Sequence, residues 1–171
     1  DNRKRVFTQE TIPANQKEPY EKVLKGSDVF PYRVNQPKYY IAGTPDEWQQ
    51  TAPLEYYRIS PKLVYRFIAD RPVVAYEAGG MLTLNSCNIL IPMIEKCHIK
   101  YILAVLNSEV VRFLYRTKFR SQKVLRSYLE ELPIPVISEE KQNEIVDLVN
   151  ALLSETNENV CHMIEEKIHL L

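Results

Sequence analysis

Between residues 54 and 91 the chain is a series of short β-prone stretches, and near His98 its apolar period becomes helical; this switch constrains the fold more than any other feature. The stretches cover 54–59, 63–68, 72–76, 81–84 and 87–91, and they are separated by Ser60-Pro61, Asp70-Arg71 and Gly79-Gly80. Such residues favour turns, so short strands joined by tight turns are expected, giving a curved and mainly antiparallel sheet. The segment 62–69 is ambiguous, because Leu63, Phe67 and Ile68 also suit a helix; it is read as strand. Between 98 and 118 no proline or glycine intervenes, and Leu103, Leu106, Val110 and Phe113 predict one apolar stripe on a single helix. A shorter amphipathic stretch over 122–129 is stopped by Leu132-Pro133-Ile134-Pro135, since proline lacks an amide donor and restricts the residue before it. Ser138, followed by Glu139 and Glu140, has the chemistry of a helix start. That helix passes through Ile145, Leu148, Val149 and Leu152, bends near Thr156-Asn157 and resumes to Leu171. Residues 1 to about 50 hold no sustained period and predict loops and short strands. The expected fold class is α+β: a curved, mainly antiparallel sheet packed by helices, with a C-terminal helical extension.

With 171 residues, 45% hydrophobic and 26% charged, the chain can bury a real core as one domain or one domain with a helical appendage. No apolar run approaches the roughly 20 residues of a membrane span, and no signal peptide opens the chain, so a cytoplasmic protein without membrane contact is expected. Cys87, Cys97 and Cys161 have no CxxC spacing and read as reduced, buried thiols. The chain starts at Asp1, without methionine, in a polar run, and is expected to be a piece of something longer.

Net charge is zero but unevenly spread. From Glu139 onward eight acids face two lysines, a balance of −6, which leaves +6 on residues 1–138. Within the basic part Arg112, Arg116, Lys118, Arg120, Lys123 and Arg126 form a run with no acid between Glu109 and Glu130, and Tyr115, Phe119 and Tyr128 are interleaved. Six crowded cations repel one another unless an anionic partner balances them, and double-stranded DNA is such a partner. A solvated helix end, where cations favour the helix dipole, is the alternative. The chain has no phosphate-binding glycine loop, GxSxG elbow or HExxH, and the adjacent pairs Cys97-His98 and Cys161-His162 cannot both aim at one metal from a regular helix. Glu139-Glu140-Lys141 and Glu165-Glu166-Lys167 have the look of nuclease fragments but stand on exposed helix turns without a partner aspartate.

An ordered set of strings carries a family resemblance. It comprises Lys25-Gly26-Ser27-Asp28-Val29, Pro61-Lys62-Leu63-Val64-Tyr65-Arg66, Ala75-Tyr76, Thr83-Leu84-Asn85-Ser86, Tyr101 through Ser108, Phe113-Leu114-Tyr115, and Leu129 through Pro135. Together these resemble the TaqI-like C-terminal specificity domain, the target recognition domain of restriction-modification enzymes and adenine-N6 DNA methyltransferases, related to type I specificity subunits. Pro133 through Gln142 also resembles the passage of type I specificity domains into their long helices. The resemblance implies an irregular segment at 1–24, a DNA-specificity domain at 25–137 and an acidic helical extension at 138–171. The family's catalytic Asn-Pro-Pro-Tyr motif has no counterpart here. The segment is therefore expected to recognise DNA without catalysis and without a cofactor. S-adenosylmethionine and Mg2+ would serve a catalytic methyltransferase or nuclease domain or subunit of the parent enzyme. Lys62 and Arg66, in a string of the resemblance, join the six cations of the run as candidate DNA contacts, with ion pairing inside the fold as their alternative.

Two other functions stay open at this point. One is a protein-interaction module, in which the acidic tail and the apolar helix stripe dock a partner subunit. The other is an enzyme fragment with an unrecognised nuclease site.

Overall fold

The computed structural model describes residues 5–13, 19–43, 47–48 and 52–170. In chain order these form β1 (Val6–Thr8), β2 (Tyr20–Leu24), β3 (Tyr39–Ala42), α1 (Leu54–Arg58), β4 (Lys62–Arg66), β5 (Val74–Glu77), β6 (Leu82–Thr83), β7 (Cys87–Leu90), α2 (Ile99–Asn107), α3 (Glu109–Phe119), α4 (Arg126–Glu130), α5 (Glu139–Ser154) and α6 (Glu158–Leu170). The class is α+β with a helical C-terminal part, as the sequence predicts. The single expected sheet is instead two: four strands in the order β1-β3-β2-β6, and three in the order β5-β4-β7. Between these strands all pairings are antiparallel except β2 with β6.

The three-stranded sheet has a buried layer on each face because its side chains alternate. Leu63, Tyr65 and Val74 point into a core shared with α2, α3, α5 and α6, while Val64, Val73 and Ala75 pack with Leu24, Val29 and Cys87. The 3-10 turn Gly26–Asp28 ties this second layer to the β6–β7 connection: the Gly26 amide donates to Ser86 Oγ at 3.0 Å. A Cβ on Gly26 would lie 2.4 Å from the Ser86 carbonyl oxygen, so only glycine fits there. Asn107, at the end of α2, holds β5 from the other side, accepting from the Val74 amide at 3.1 Å and donating to the Val74 carbonyl at 2.9 Å.

Two sequence expectations fail for local reasons. The strand expected at 54–59 is the helix α1, in which Leu54 and Tyr56 stay exposed, so no alternating buried face exists to support a strand. The terminal carbonyls of this turn are taken by a lysine ammonium, since Lys62 Nζ donates to Tyr57 O at 2.8 Å and to Ile59 O at 3.4 Å. The single helix expected over 98–118 is two helices joined at Ser108. Its backbone is extended there, its amide closes α2 on Val105 O, and its Oγ accepts from Val111 N at 3.2 Å to start α3. The restart changes the inward register. Val111 and Tyr115 are buried, whereas Val110 and Phe113, expected in the apolar stripe, are 76% and 73% exposed.

The C-terminal helices follow the sequence closely. Ser138 caps α5, and the break falls between Ser154 and Glu158. The apolar stripe of α5 is covered within the chain: Ile145, Val149 and Leu152 belong to the same core as α2. Buried Gln142 fastens the pair, accepting from the His98 amide at 2.9 Å and donating to Lys96 O at 2.7 Å. Arg33 secures the far end by donating to Leu152 O at 2.6 Å, to Glu155 O at 3.2 Å and to Cys161 Sγ at 2.9 Å.

Candidate nucleic-acid interface

The cationic run occupies α3, α4 and the connection between them, and the structure mounts it on a pinned segment. Arg120 ends α3 in the left-handed region at φ 44°, which turns the chain sharply back. The returning segment is then fixed to the body, with Val124 N donating to Phe67 O at 2.8 Å and Ala69 N donating to Gln122 O at 3.1 Å. Buried Tyr115 donates its hydroxyl to Lys123 O at 3.0 Å, and burial pushes this phenol up to about 12, so it remains a donor. Phe119 stacks on Tyr128 with centroids 4.3 Å apart, joining α3 to α4. The interleaved aromatics thus stiffen the support, and Lys118, Arg120, Lys123 and Arg126 are left exposed upon it.

The fold supplies carboxylates that are absent inside the run. Arg116 pairs with Asp70 from the β4–β5 connection, Lys118 with Glu131 at 2.7 Å, Arg126 with Glu130 at 2.6 Å and Arg112 with Glu109 at 2.9 Å. The hydrogen bond to Glu130, and then its charge, holds the Arg126 guanidinium above its ordinary pKa. Six cations and four carboxylates leave the ridge at +2. Exposed single pairs are weak in water and screened by salt, so a phosphate can displace the carboxylate from each. Arg120 and Lys123 have no carboxylate in reach among the described residues; Lys123 Nζ instead lies 5.7 Å from the Phe67 ring centroid.

The two candidates on β4 part company with this ridge. Lys62 is wholly buried and ion-paired to the equally buried Glu77, whose carboxylate also accepts the Gly79 and Met81 amides. An ammonium enclosed in this way cannot reach a phosphate, so Lys62 leaves the candidate set. Arg66 is half-buried: Nε donates to Val29 O, and the guanidinium lies 4.9 Å from the exposed Phe30 ring.

A cleft of about 1860 Å³ lies beside the ridge, lined by both sheets and by α2 and α4. Its walls include Tyr39, Trp48, Tyr57 and Phe67, with polar positions at Lys25, Asn85, Asn88 and Arg126. Arg126 therefore belongs to the ridge and to the cleft. Neither Asp70 nor the cleft is visible in the sequence. The outward turn of Val110 and Phe113 could have been found by reading Ser108-Glu109 as a helix start, which places Val111 and Tyr115 one turn apart on the inner face.

Among the described residues no group of three or more His, Cys, Asp or Glu side chains is placed to hold a metal ion, and no helix is long and apolar enough to cross a membrane. No curated protein matches the chain. A family model, the TaqI-like C-terminal specificity domain, matches residues 21–134.

Proposed function

Because this chain belongs to the TaqI-like C-terminal specificity domain family, we propose that it recognises the DNA target of a restriction-modification enzyme and holds the duplex for a catalytic part outside these residues. The observation that carries this reading is the ridge itself. Arg116, Lys118, Arg120, Lys123 and Arg126 project from the end of α3, the start of α4 and the connection between them, which is fixed by backbone, tyrosine and stacking contacts. Phosphate binding gains from such pre-positioning, since little order remains to be imposed on association. Phosphate contacts from the ridge set the register of the duplex, and base contacts select the sequence. In this reading the chain neither methylates nor cuts DNA and holds no cofactor of its own; methyltransferase or endonuclease chemistry, with S-adenosylmethionine or Mg2+, belongs to the partner domain or subunit. Its place of action is the cytoplasm.

The test is a salt titration of duplex binding. If Arg116, Lys118, Arg120, Lys123 and Arg126 each meet a phosphate, log affinity falls with log salt at a slope of about −4 to −5. Replacing Lys118 and Lys123 with alanine weakens all duplexes about equally and flattens the slope by about one to two units, with sequence preference retained. A slope near zero in the unaltered chain would favour the protein-interaction module instead.

A further inference from the structure

On top of the DNA reading just given, we infer that the outer face of α3 is a base reader, in which Phe113, supported by Val110, makes an apolar contact with a thymine methyl in the major groove. The face is defined by the restart at Ser108. Phe113 and Val110 stand 73% and 76% exposed, one turn apart, while Val111 and Tyr115 take the inner positions. Residues three apart on a helix are neighbours on its surface, which puts Phe113 and Val110 on one face of α3. Two large apolar side chains side by side in water call for a partner.

The surroundings say which partner. Glu109, Arg112, Phe113, Arg116, Thr117 and Arg120 line one shallow recess on this face. Arg112 is paired with Glu109 and Arg116 with Asp70 in exposed, displaceable pairs, Arg120 has no carboxylate in reach among the described residues, and α3 contains no acid after Glu109. An apolar centre beside arginines complements a groove, where phosphates run along the walls and the apolar feature of the floor is the thymine C5 methyl. The dimensions agree: a helix is about 10–12 Å across and the major groove about 12 Å wide. Arg116 and Arg120 then hold phosphates while Phe113 faces the base edges. A protein partner would have to bring acids to the same arginines; that is the other outcome of the test.

The experiment enriches a pool of random duplexes on the purified chain and measures binding of the preferred duplex. It then repeats the measurement with each thymine changed in turn to deoxyuridine, which lacks the methyl. One such change is expected to weaken binding about fourfold, the value of one buried methyl. Phe113→Ala is expected to bind more weakly, to ignore that change and to keep the salt slope, whereas Arg116→Ala flattens the slope by about one unit. Phe113→Leu retains part of the methyl dependence. Because Phe113 is exposed, thermal unfolding of these variants stays near that of the parent chain. Phe113→Ala with unaltered affinity and unaltered methyl dependence overturns the inference and assigns the patch to a protein partner. A steep salt slope with no enriched sequence or no methyl dependence also overturns it, and leaves the ridge reading intact. Absence of salt-dependent duplex binding removes the ridge reading itself.

Discussion

Replacing Lys62 with methionine separates a fold-supporting cation from a DNA-binding one. The ammonium is 0% exposed; it is paired with Glu77, also 0% exposed, and donates to two carbonyls at the end of α1. Methionine keeps a long unbranched stem, so little cavity forms; the change removes a charge and its hydrogen bonds. Glu77 then remains buried with only the amides of Gly79 and Met81 as donors, and the Tyr57 carbonyl loses its partner. Breaking one side of a buried pair costs about 3–5 kcal/mol, and a chain of this size loses about 2–4 °C of Tm per kcal/mol. A fall in Tm of about 6–20 °C is therefore expected, with a matching loss in urea denaturation followed by circular dichroism. Adding Glu77→Gln removes the stranded charge and keeps one amide acceptor, so about 1–3 kcal/mol should return. Measured where both proteins are folded, DNA affinity and salt slope should not move. A loss of stability under 1 kcal/mol, together with a salt slope flattened by about one unit, would refute this reasoning and make Lys62 a phosphate contact.

Other outcomes follow from the same structure. Asn107→Ala removes both bonds to Val74 and should cost about 2 kcal/mol, with faster hydrogen exchange at the Val74 amide. Burial pushes the Cys87 thiol up to about 12, against about 8.5 in an unfolded chain. The folded state therefore keeps a proton that the unfolded state has lost between those values. The stability this group contributes is complete below about pH 8.5 and declines as pH rises toward 12; Cys87→Ser should remove that part of an alkaline denaturation curve.

Local chemistry made much of the fold legible. The cap at Ser138, the stop at Leu132-Pro133-Ile134-Pro135 and the break near Thr156-Asn157 are each carried by one or two residues, and each appears where expected. The failures are places where tertiary contacts decide. Nothing in 54–59 says that a lysine at 62 will close its last carbonyls, and an uninterrupted apolar period concealed a serine cap at 108. The ridge was legible as a run of cations because one short stretch of chain, from Arg112 to Arg126, carries them all. Its compensation was legible only in part: Glu109 and Glu130 stand one helix turn from Arg112 and Arg126, whereas Asp70 reaches Arg116 only through the β4–β5 connection.

The strings that carry the family resemblance have a physical character of their own. Gly26 seats against Ser86, Arg66 holds Val29, Asn107 clasps Val74, and Tyr101 donates its hydroxyl to Pro135 O at 2.7 Å. These contacts fix how the two sheets, α2 and the prolines before α5 sit against one another. Substituting such partly buried polar partners costs stability whatever DNA is present. The ridge cations lie in exposed positions, where substitutions away from fasteners are nearly neutral for the fold. A module divided in this way can change what it reads without changing how it is held, which suits a specificity domain. Phe113 is an outward-facing member of these strings, with no packing against the core to account for it. Its exposure leaves it no role inside the core, and under the proposed DNA reading the arginines around it make a DNA groove the fitting surface.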